Sequence, residues 1–210
     1  MGARLSDIAD VLHGGTEEVS LPRPQADVLQ GVARGDPSAS ATLYDALCPV
    51  VVRTLERILR DPGADYDDLV QTTFERIVRT LVEKGASSVS NVPAWAAAIA
   101  AHVALDALRV KIRERKLFLH DDATHEASSS AVGPSLERQL EARRKLLWVQ
   151  EALARMNPDQ ARTLVLHDVL GHDLVETASI TGVTVAAAQK RLWRARRDLL
   201  NRAERRGEKP

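Results

Sequence analysis

The sequence is poor in several features on which other classes of protein depend. Its 210 residues include a single cysteine, Cys48, so neither an intramolecular disulfide nor a cysteine-based zinc site can form. Aromatic residues make up 3% of the chain, and the dominance of Ala, Leu, Arg and Val favours helices over strands. The N-terminus lacks a basic segment followed by an apolar run, and no stretch approaches the roughly 18 apolar residues of a membrane span. We therefore expect a cytoplasmic protein.

A net charge is missing too, since 29 Lys and Arg balance 29 Asp and Glu, which alone argues against a nucleic-acid partner. The charges are nevertheless segregated along the chain. Eight basic residues follow Ala187, namely Lys190, Arg191, Arg194, Arg196, Arg197, Arg202, Arg205 and Arg206, against the two acids Asp198 and Glu204. A second basic run is Arg109, Lys111, Arg113, Arg115 and Lys116, whereas acids gather at Asp61, Asp65, Asp67 and Asp68 and at Asp121, Asp122 and Glu126. Separate positive and negative surfaces can bind two different partners.

Helical periodicity, without an alternating strand pattern of useful length, predicts an all-α fold of two small helical domains joined by a flexible linker. We expect a loosely ordered leader at 1–25, a first domain at 26–118, a linker at 119–135, a second domain at 136–204 and a tail at 205–210. The linker is rich in serine and ends near Gly133-Pro134, which makes it the predicted domain boundary.

In the first domain, helices are predicted from Ala26, from Ser38 to Leu59, from the acidic run at Asp65–Asp68, and from Pro93 to about Lys116. The carboxylates of Asp65–Asp68 are expected to accept the unpaired amides of a first turn. One apolar stripe is expected along that helix, because its apolar residues recur at steps of four, three and four. The stripe consists of Val70, Phe74, Ile77 and Leu81.

Residues 171–197 are the most informative part of the sequence. Helices are predicted at 136–155, from Pro158 to Val169, and at 174–180; Gly182 then turns the chain and Thr184 caps a last helix to about Glu204. A short helix, a glycine turn and a long basic helix make a helix-turn-helix pattern. The buried face of the last helix is predicted at Val185, Ala188, Leu192, Ala195 and Leu199.

The opposite face of that last helix carries side chains able to reach phosphates and base edges in a DNA major groove. They are Gln189, Lys190, Trp193, Arg194 and Arg197, with Thr184 at the helix start. The alternative is an amphipathic surface helix whose arginines are simply solvated, with Trp193 in the core. The helix-turn-helix pattern favours DNA binding.

No pattern of an enzyme active site is evident, because the sequence has no Gly-rich nucleotide motif and no Ser/His/Asp arrangement. Two groups contain metal-ligand residue types: His120, Asp121, Asp122, His125 and Glu126, and then His167, Asp168, His172 and Asp173. The first lies in the linker without a scaffold, and the second straddles a glycine that ends a helix, so we interpret both as solvated. We predict a protein that is not an enzyme and has no metal, cofactor or small-molecule substrate.

Two blocks of sequence resemble the extracytoplasmic-function (ECF) sigma factors of bacterial RNA polymerase. The first contains Asp67-Asp68-Leu69-Val70-Gln71-Thr72-Thr73-Phe74, Ala94-Trp95-Ala96-Ala97-Ala98-Ile99-Ala100 and Ala104-Leu105-Asp106-Ala107-Leu108-Arg109. The second contains His172 to Ala178, Gly182-Val183-Thr184-Val185 and Lys190-Arg191-Leu192-Trp193-Arg194-Ala195-Arg196-Arg197-Asp198-Leu199-Leu200. The resemblance covers residues 26 to 204. It implies a factor that binds core polymerase and directs promoter recognition, DNA melting and transcription initiation.

The resemblance also implies residue roles. Asp68, Gln71, Thr72, Glu75 and Arg79 would contact the clamp helices of the polymerase. Ser90 and Asn91, in the loop before the helix at Pro93, would help to capture a flipped base of the downstream promoter element. Arg109, Lys111, Arg113 and Arg115 would follow its backbone. The second domain would bind the polymerase flap and read the upstream element through Thr184, Gln189, Lys190, Trp193, Arg194 and Arg197. Members of the family are commonly restrained by an anti-sigma factor, which is a further expected partner.

The main rival is a stand-alone helix-turn-helix regulator that binds duplex DNA as a dimer on a palindrome. A third possibility is a protein that only sequesters another regulator. Transcription with purified core polymerase separates these classes, because only a sigma factor enables initiation.

Overall fold

The computed structural model describes residues 26–60, 65–85, 91–118 and 134–206, apart from the side chains at 116–118 and 134–137. Within these ranges the chain is helical and contains no strand, which confirms the predicted all-α class. The helices are α1 (Ala26–Ala33), α2 (Pro37–Leu59), α3 (Tyr66–Lys84), α4 (Val92–Phe118), α5 (Pro134–Arg155), α6 (Pro158–Leu164), α7 (Leu174–Thr181) and α8 (Val185–Arg205), with a π turn at Val165–Val169 after α6.

The N-terminal half packs α1 and α3 beside a central pair formed by α2 and α4. Helix α2 begins where Asp36 accepts a hydrogen bond from the Ser38 amide at 2.9 Å, and Pro37 occupies the first turn, where it sacrifices no helical hydrogen bond. Its side chains at steps of four, Leu43, Leu47, Val51 and Leu55, are at most 1% exposed. The result is a helical platform that holds α3 and α4 in place.

Helix α3 carries the predicted apolar stripe, since Val70, Phe74, Ile77 and Leu81 are all buried. The predicted N-terminal capping is wrong in one respect: Asp65 precedes the helix but makes no side-chain capping bond. Capping residues usually have an extended backbone, which directs the side chain towards the amides of the first turn. Asp65 has a φ of −86° and a ψ of 12° and so departs from that conformation.

The C-terminal half contains an irregularity that the sequence did not indicate. Asn157 accepts hydrogen bonds from two first-turn amides of α6, yet the helix predicted to reach Val169 in one piece changes to a π turn at Val165–Val169. The extra residue of a π turn lets Val165, Leu166 and Val169 all point inwards. Gly171, at a φ of +80°, then turns the chain towards α7.

The segment between the two halves is shorter than predicted. Helix α4 extends to Phe118 and α5 begins at Pro134, so the last two residues of the predicted linker belong to α5. Residues 119–133, like the leader at 1–25 and the predicted stop at 61–63, lie outside the described residues. The buried apolar side chains of both halves form one continuous core, because α4 also packs against α5 and α6. No helix in the described ranges is long and apolar enough to cross a membrane.

Candidate nucleic-acid interface

The helix-turn-helix is formed by α7, a glycine turn and α8. Asp173 and Glu176 form a reciprocal capping box at the start of α7, with the Asp173 carboxylate accepting from the Glu176 amide at 2.7 Å. Gly182 has a φ of +67°, a left-handed conformation that favours glycine, and it ends α7. Thr184 then accepts from the Ala187 amide at 3.2 Å and starts α8. Both predicted helix starts and the predicted turn are confirmed.

The predicted DNA-contacting residues of α8 are all exposed, and Gln189, Lys190, Trp193, Arg194 and Arg197 share one side of the helix, whereas Thr184 precedes it as the capping residue. We call the five residues on that side the reading face. Trp193 is 58% exposed, so its predicted position outside the core is confirmed. The Arg197 guanidinium lies 5.1 Å from the centre of the Trp193 ring, a cation–π distance that orders both side chains. Charge, hydrogen-bonding groups and a flat ring are thus presented together on a rigid helix.

Other basic residues of α8 form ion pairs within the protein. Arg191 pairs with Asp159 at 2.8 Å, and Arg202 pairs with Asp198 at 3.0 Å. Arg196 donates from Nε to Asp168 at 3.0 Å, and this hydrogen bond raises the pKa of Arg196. Because Asp168 belongs to the π turn, the irregular turn anchors the inner side of α8. Apart from Arg205 at its end, the basic residues of the helix therefore divide into those paired within the fold and those of the reading face.

The buried side of α8 agrees with prediction except at its first position. Ala188, Leu192, Ala195 and Leu199 are at most 4% exposed, but Val185 is 43% exposed. Val185 is the first helical residue, directly after the capping Thr184. The helical period alone predicted that Val185 is buried. In the structure the buried residues of α8 begin one turn later, at Ala188.

The basic segment of α4, Arg109, Lys111, Arg113 and Arg115, divides in the same way. Lys111, Arg113 and Arg115 are exposed. The Arg109 side chain is only 19% exposed, and its Nη1 donates to Asp106 at 2.9 Å. Asn91 accepts from the Ala94 amide at 3.2 Å and so starts the same helix, while Ser90 lies outside the described residues. The structure thus brings three of the four cations to the surface.

The predicted polymerase-contacting residues form a docking face on α3, comprising Asp68, Gln71, Thr72, Glu75 and Arg79. All are exposed except Thr72, which is half-buried, and Gln71 donates to Glu75 at 3.0 Å. A shallow groove of about 800 Å³ lies beside this face. It is lined by Tyr44, Asp67, Val70, Gln71, Phe74, Glu75, Val78 and Arg79.

Sequence reasoning missed the contribution of Tyr44 to this groove. Tyr44 is 45% exposed, and its ring centre lies 4.5 Å from that of Phe74. A hydrogen bond with Cys48 raises the pKa of the Tyr44 phenol, which therefore stays neutral. The available signal in the sequence was the low aromatic content. Because aromatic residues make up only 3% of the chain and are enriched at protein interfaces, each tyrosine was a candidate interface residue.

Comparison with known proteins identifies both halves. The family model described as Sigma-70 region 2 matches residues 43–114, and that described as Sigma-70, region 4 matches residues 146–199. The "ECF RNA polymerase sigma factor SigC" of Mycobacterium tuberculosis (strain CDC 1551 / Oshkosh) is 31% identical over 147 residues, which are 70% of this chain and 74% of that protein. The chain belongs to the ECF sigma factors.

Two further similarities were found. The "Probable RNA polymerase sigma-C factor" of Mycobacterium bovis (strain ATCC BAA-935 / AF2122/97) has the same identity and coverage. The structure described as "CnrH in complex with the cytosolic domain of CnrY" superposes with a TM-score of 0.48 at 20% identity, covering 84% of this chain and 95% of that one. Like its family, this sigma factor directs promoter recognition and transcription initiation, and the family is not one of enzymes.

Within the sigma factor, the second group of metal-ligand residue types has identifiable structural tasks. Asp168 binds Arg196 and lies 2.8 Å from His167 Nδ1, and Asp173 caps α7. His172 Nδ1 lies 3.4 Å from Glu176. The first group, at 120–126, lies outside the described residues.

Proposed function

We propose a division of labour among three surfaces of this sigma factor. The reading face of α8 contacts the upstream promoter element, the basic segment of α4 follows the backbone beside the downstream element, and the docking face of α3 binds the polymerase clamp. In this proposal residues 26–118 and 136–204 act as separate domains on the polymerase, the second of them on its flap. An anti-sigma partner stays a prediction.

The observation that carries this proposal is the sorting of cations on α8. Arg194 and Arg197 are exposed, whereas Arg191 and Arg196 are held by carboxylates of α6 and the π turn. Exposed arginines on a helix that follows a glycine turn can form bidentate hydrogen bonds with guanine in a major groove. A surface helix with no DNA to bind would not need exposed arginines on one side and paired arginines on the other.

The docking face is supported by its independence from the apolar core of α3. Its side chains lie outside the buried stripe, so they are available to another protein without any rearrangement of the first half. The adjoining groove adds the apolar surface of Tyr44 and Val78, and a mixture of aromatic and polar groups is typical of protein interfaces.

The decisive experiment is transcription in vitro with purified core polymerase and promoters identified by sequencing transcripts after overproduction of the protein. We expect initiation only when the chain is added, and loss of initiation when Arg194 and Arg197 are both changed to Ala. The matched control is the double variant of Arg205 and Arg206 to Ala, at the last residue and the C-cap of the same helix and beyond the reading face. Tight duplex binding without any initiation would instead identify a stand-alone regulator.

A further inference from the structure

A cavity of about 710 Å³ lies between the end of α2, the last turns of α4 and the second half of α5, and the C-cap of α8 also lines it. This volume falls within the range of roughly 300–1,000 Å³ that is typical of small-molecule sites. Among the described residues that line the cavity, none belongs to the reading face or to the docking face. The roles proposed for those two faces therefore do not account for it.

Basic side chains from four elements converge on this cavity, which we call the basic cavity. They are Arg60, Lys111, Arg115, Arg143, Arg144 and Arg206. A further arginine, Arg155, is paired with Glu151, which is the one carboxylate among the described residues that line the cavity. Like charges gathered in a concave site repel one another and concentrate their field on whatever enters it. The basic cavity is therefore suited to an anionic ligand.

Arg60, one of these cations, has an unfavourable backbone conformation. It follows the last residue of α2 with a φ of 60° and a ψ of −40°, and in the described parts of the chain it is the one non-glycine residue with a positive φ. Its amide still donates to the Glu56 carbonyl at 2.7 Å, which ties the conformation to the end of the helix. Strained residues of this kind are concentrated at binding and catalytic sites. The strain at Arg60 is thus a second, independent indication of a ligand site.

The rest of the lining is largely apolar and includes an indole ring. Leu108 and Ile112 come from α4, and Leu146, Leu147 and Trp148 come from α5. Leu147 is 39% exposed and Trp148 is half-buried, so both offer apolar surface to a ligand. Aromatic rings stack on nucleobases, whereas guanidinium groups bind phosphates through paired hydrogen bonds. The lining therefore matches a ligand that carries both a base and phosphates.

We propose that the basic cavity binds a nucleoside polyphosphate, with its phosphates on Arg115, Arg143 and Arg144 and its base against Trp148. An inorganic anion would use the cations and leave the apolar lining without a partner. A nucleic-acid duplex is too wide to enter a cavity of this size. Arg115 also belongs to the basic segment of α4 proposed to follow DNA, so the variants that test the cavity are taken from α5.

The test is calorimetric titration of the full chain with ATP as the probe, without divalent cations and at about 0.15 M salt, where attraction between distant exposed charges is largely screened. We expect saturable binding of one ATP per chain. Inorganic tripolyphosphate should bind about tenfold more weakly, because it has no base to stack on Trp148. Charge alone predicts no such preference, because tripolyphosphate carries at least as many negative charges as ATP.

The cations are tested by Arg143→Gln combined with Arg144→Gln, two exposed residues of α5 whose loss leaves the core intact. This double variant should weaken ATP binding about tenfold or more, because two phosphate-binding guanidinium groups are lost. The matched control is Arg138→Gln combined with Lys145→Gln, which removes two positive charges from exposed positions of the same helix outside the cavity. It should keep the affinity of the parent within about twofold.

The apolar lining is tested by Trp148→Leu, which keeps an apolar side chain but removes the ring. ATP should then bind no more tightly than tripolyphosphate, whose own affinity should be unchanged. Circular dichroism and thermal denaturation check that each variant keeps the fold of the parent. Selective loss of ATP affinity in a folded Trp148→Leu variant would support a base contact that a general attraction between charges cannot explain.

Three results would overturn the proposal. The first is absence of ATP binding by the parent, and the second is equal weakening in the two double variants, which would indicate diffuse attraction to a basic surface. The third is tripolyphosphate or a single-stranded DNA oligonucleotide binding through Arg143 and Arg144 at least as tightly as ATP, which would assign the cavity to inorganic anions or to nucleic acid. Transcription by the parent chain would stand in each case, because the proposed function does not depend on these two arginines.

Discussion

Neighbouring arginines of α8 differ in what surrounds them, and this difference decides which of them are available to DNA. Arg194 is exposed on the reading face, whereas Arg196 is held by Asp168. We expect Arg194→Ala to weaken use of the upstream element by about 1–3 kcal/mol, because a base contact is lost while the fold is untouched. Arg205→Ala, which removes an exposed cation near the end of the same helix, should have a much smaller effect. Equal promoter use by the parent and Arg194→Ala would remove this residue from the contact set.

Gly31 shows how a single atom can matter in the core of the first half. A Cβ at this position would lie 2.6 Å from the Ala39 Cβ, across the contact between α1 and α2. Since Ala39 has no flexible side chain to move aside, Gly31→Ala should lower the free energy of unfolding by about 1–3 kcal/mol in denaturant titrations.

The matched double variant separates this steric clash from helix propensity. Ala39→Gly alone should cost roughly 1 kcal/mol as a glycine within a helix. The double variant Gly31→Ala with Ala39→Gly should then lose less free energy of unfolding than the two single variants lose together, because the Cβ–Cβ clash is gone. Strict additivity would show that the close approach does not limit stability.

At the scale of whole helices, α3 presents a buried stripe and an exposed docking face that can be altered separately. Gln71→Lys with Glu75→Lys should weaken core binding at least tenfold, an effect on the order of 1.4 kcal/mol or more. The reason is the change from an acidic and amide surface to a basic one, while Val70, Phe74 and Ile77 keep the helix packed. Pull-down or titration of purified core polymerase measures it.

Glu56→Lys serves as the control, because Glu56 is exposed on α2 outside the groove beside the docking face. It reverses the same kind of charge without touching the proposed contact. Normal core binding by the double Lys variant would show that the polymerase docks elsewhere on the molecule. Reduced thermal stability of the double variant relative to Glu56→Lys would indicate a folding defect instead.

The local sequence pattern was sufficient to predict the positions of most helices. It was not sufficient to predict the π turn or the packing of the helices against one another. The stripe of α3, the start of α7 at Leu174 and the turn at Gly182 each depend on residues within one or two helical turns, so they could be predicted. The π turn could not, because an inserted residue leaves the hydrophobic period nearly unchanged over so short a stretch. Val185 was misplaced because periodicity does not reveal where packing begins.

The contact between the two halves had no signal of that kind. Gln150 meets Ile58 and Leu59 across about ninety residues of chain, and a buried amide reads like any other polar residue in the sequence. The same holds for Arg109, which was one of the four cations predicted to follow the DNA backbone, although its guanidinium is paired with Asp106. The alanine-rich sequence of α4 was the available signal, since a helix that is apolar on nearly all sides needs cover on more than one.

At the scale of the whole molecule, the stability of the contact between the two halves is linked to pH through His102 of α4, which contacts Arg162 of α6. Burial and the nearby Arg162 lower the pKa of His102, against an opposing contribution from Asp106. The charged groups that face it are Arg162 from α6, Arg76 from α3, and Asp106 and Arg109 from its own helix; Arg79 and Lys84 line a second cavity beside His102. With three guanidinium groups and one carboxylate around it, the folded protein favours the neutral imidazole over the charged one.

The sign of the pH effect follows from proton binding. The unfolded chain, in which His102 has its ordinary pKa of about 6.5, binds more protons than the folded chain, so the stability that depends on the neutral imidazole is present above that pH and is lost as the pH falls below it. The free energy of unfolding, measured in denaturant titrations, should therefore decrease on acidification from about pH 7.5 to 5.5. His102→Gln keeps a polar side chain but cannot titrate, and its free energy of unfolding should vary less across the same interval. Identical pH profiles of stability for the parent protein and the His102→Gln variant would show that the imidazole takes up no proton on unfolding and that other groups set the pH dependence.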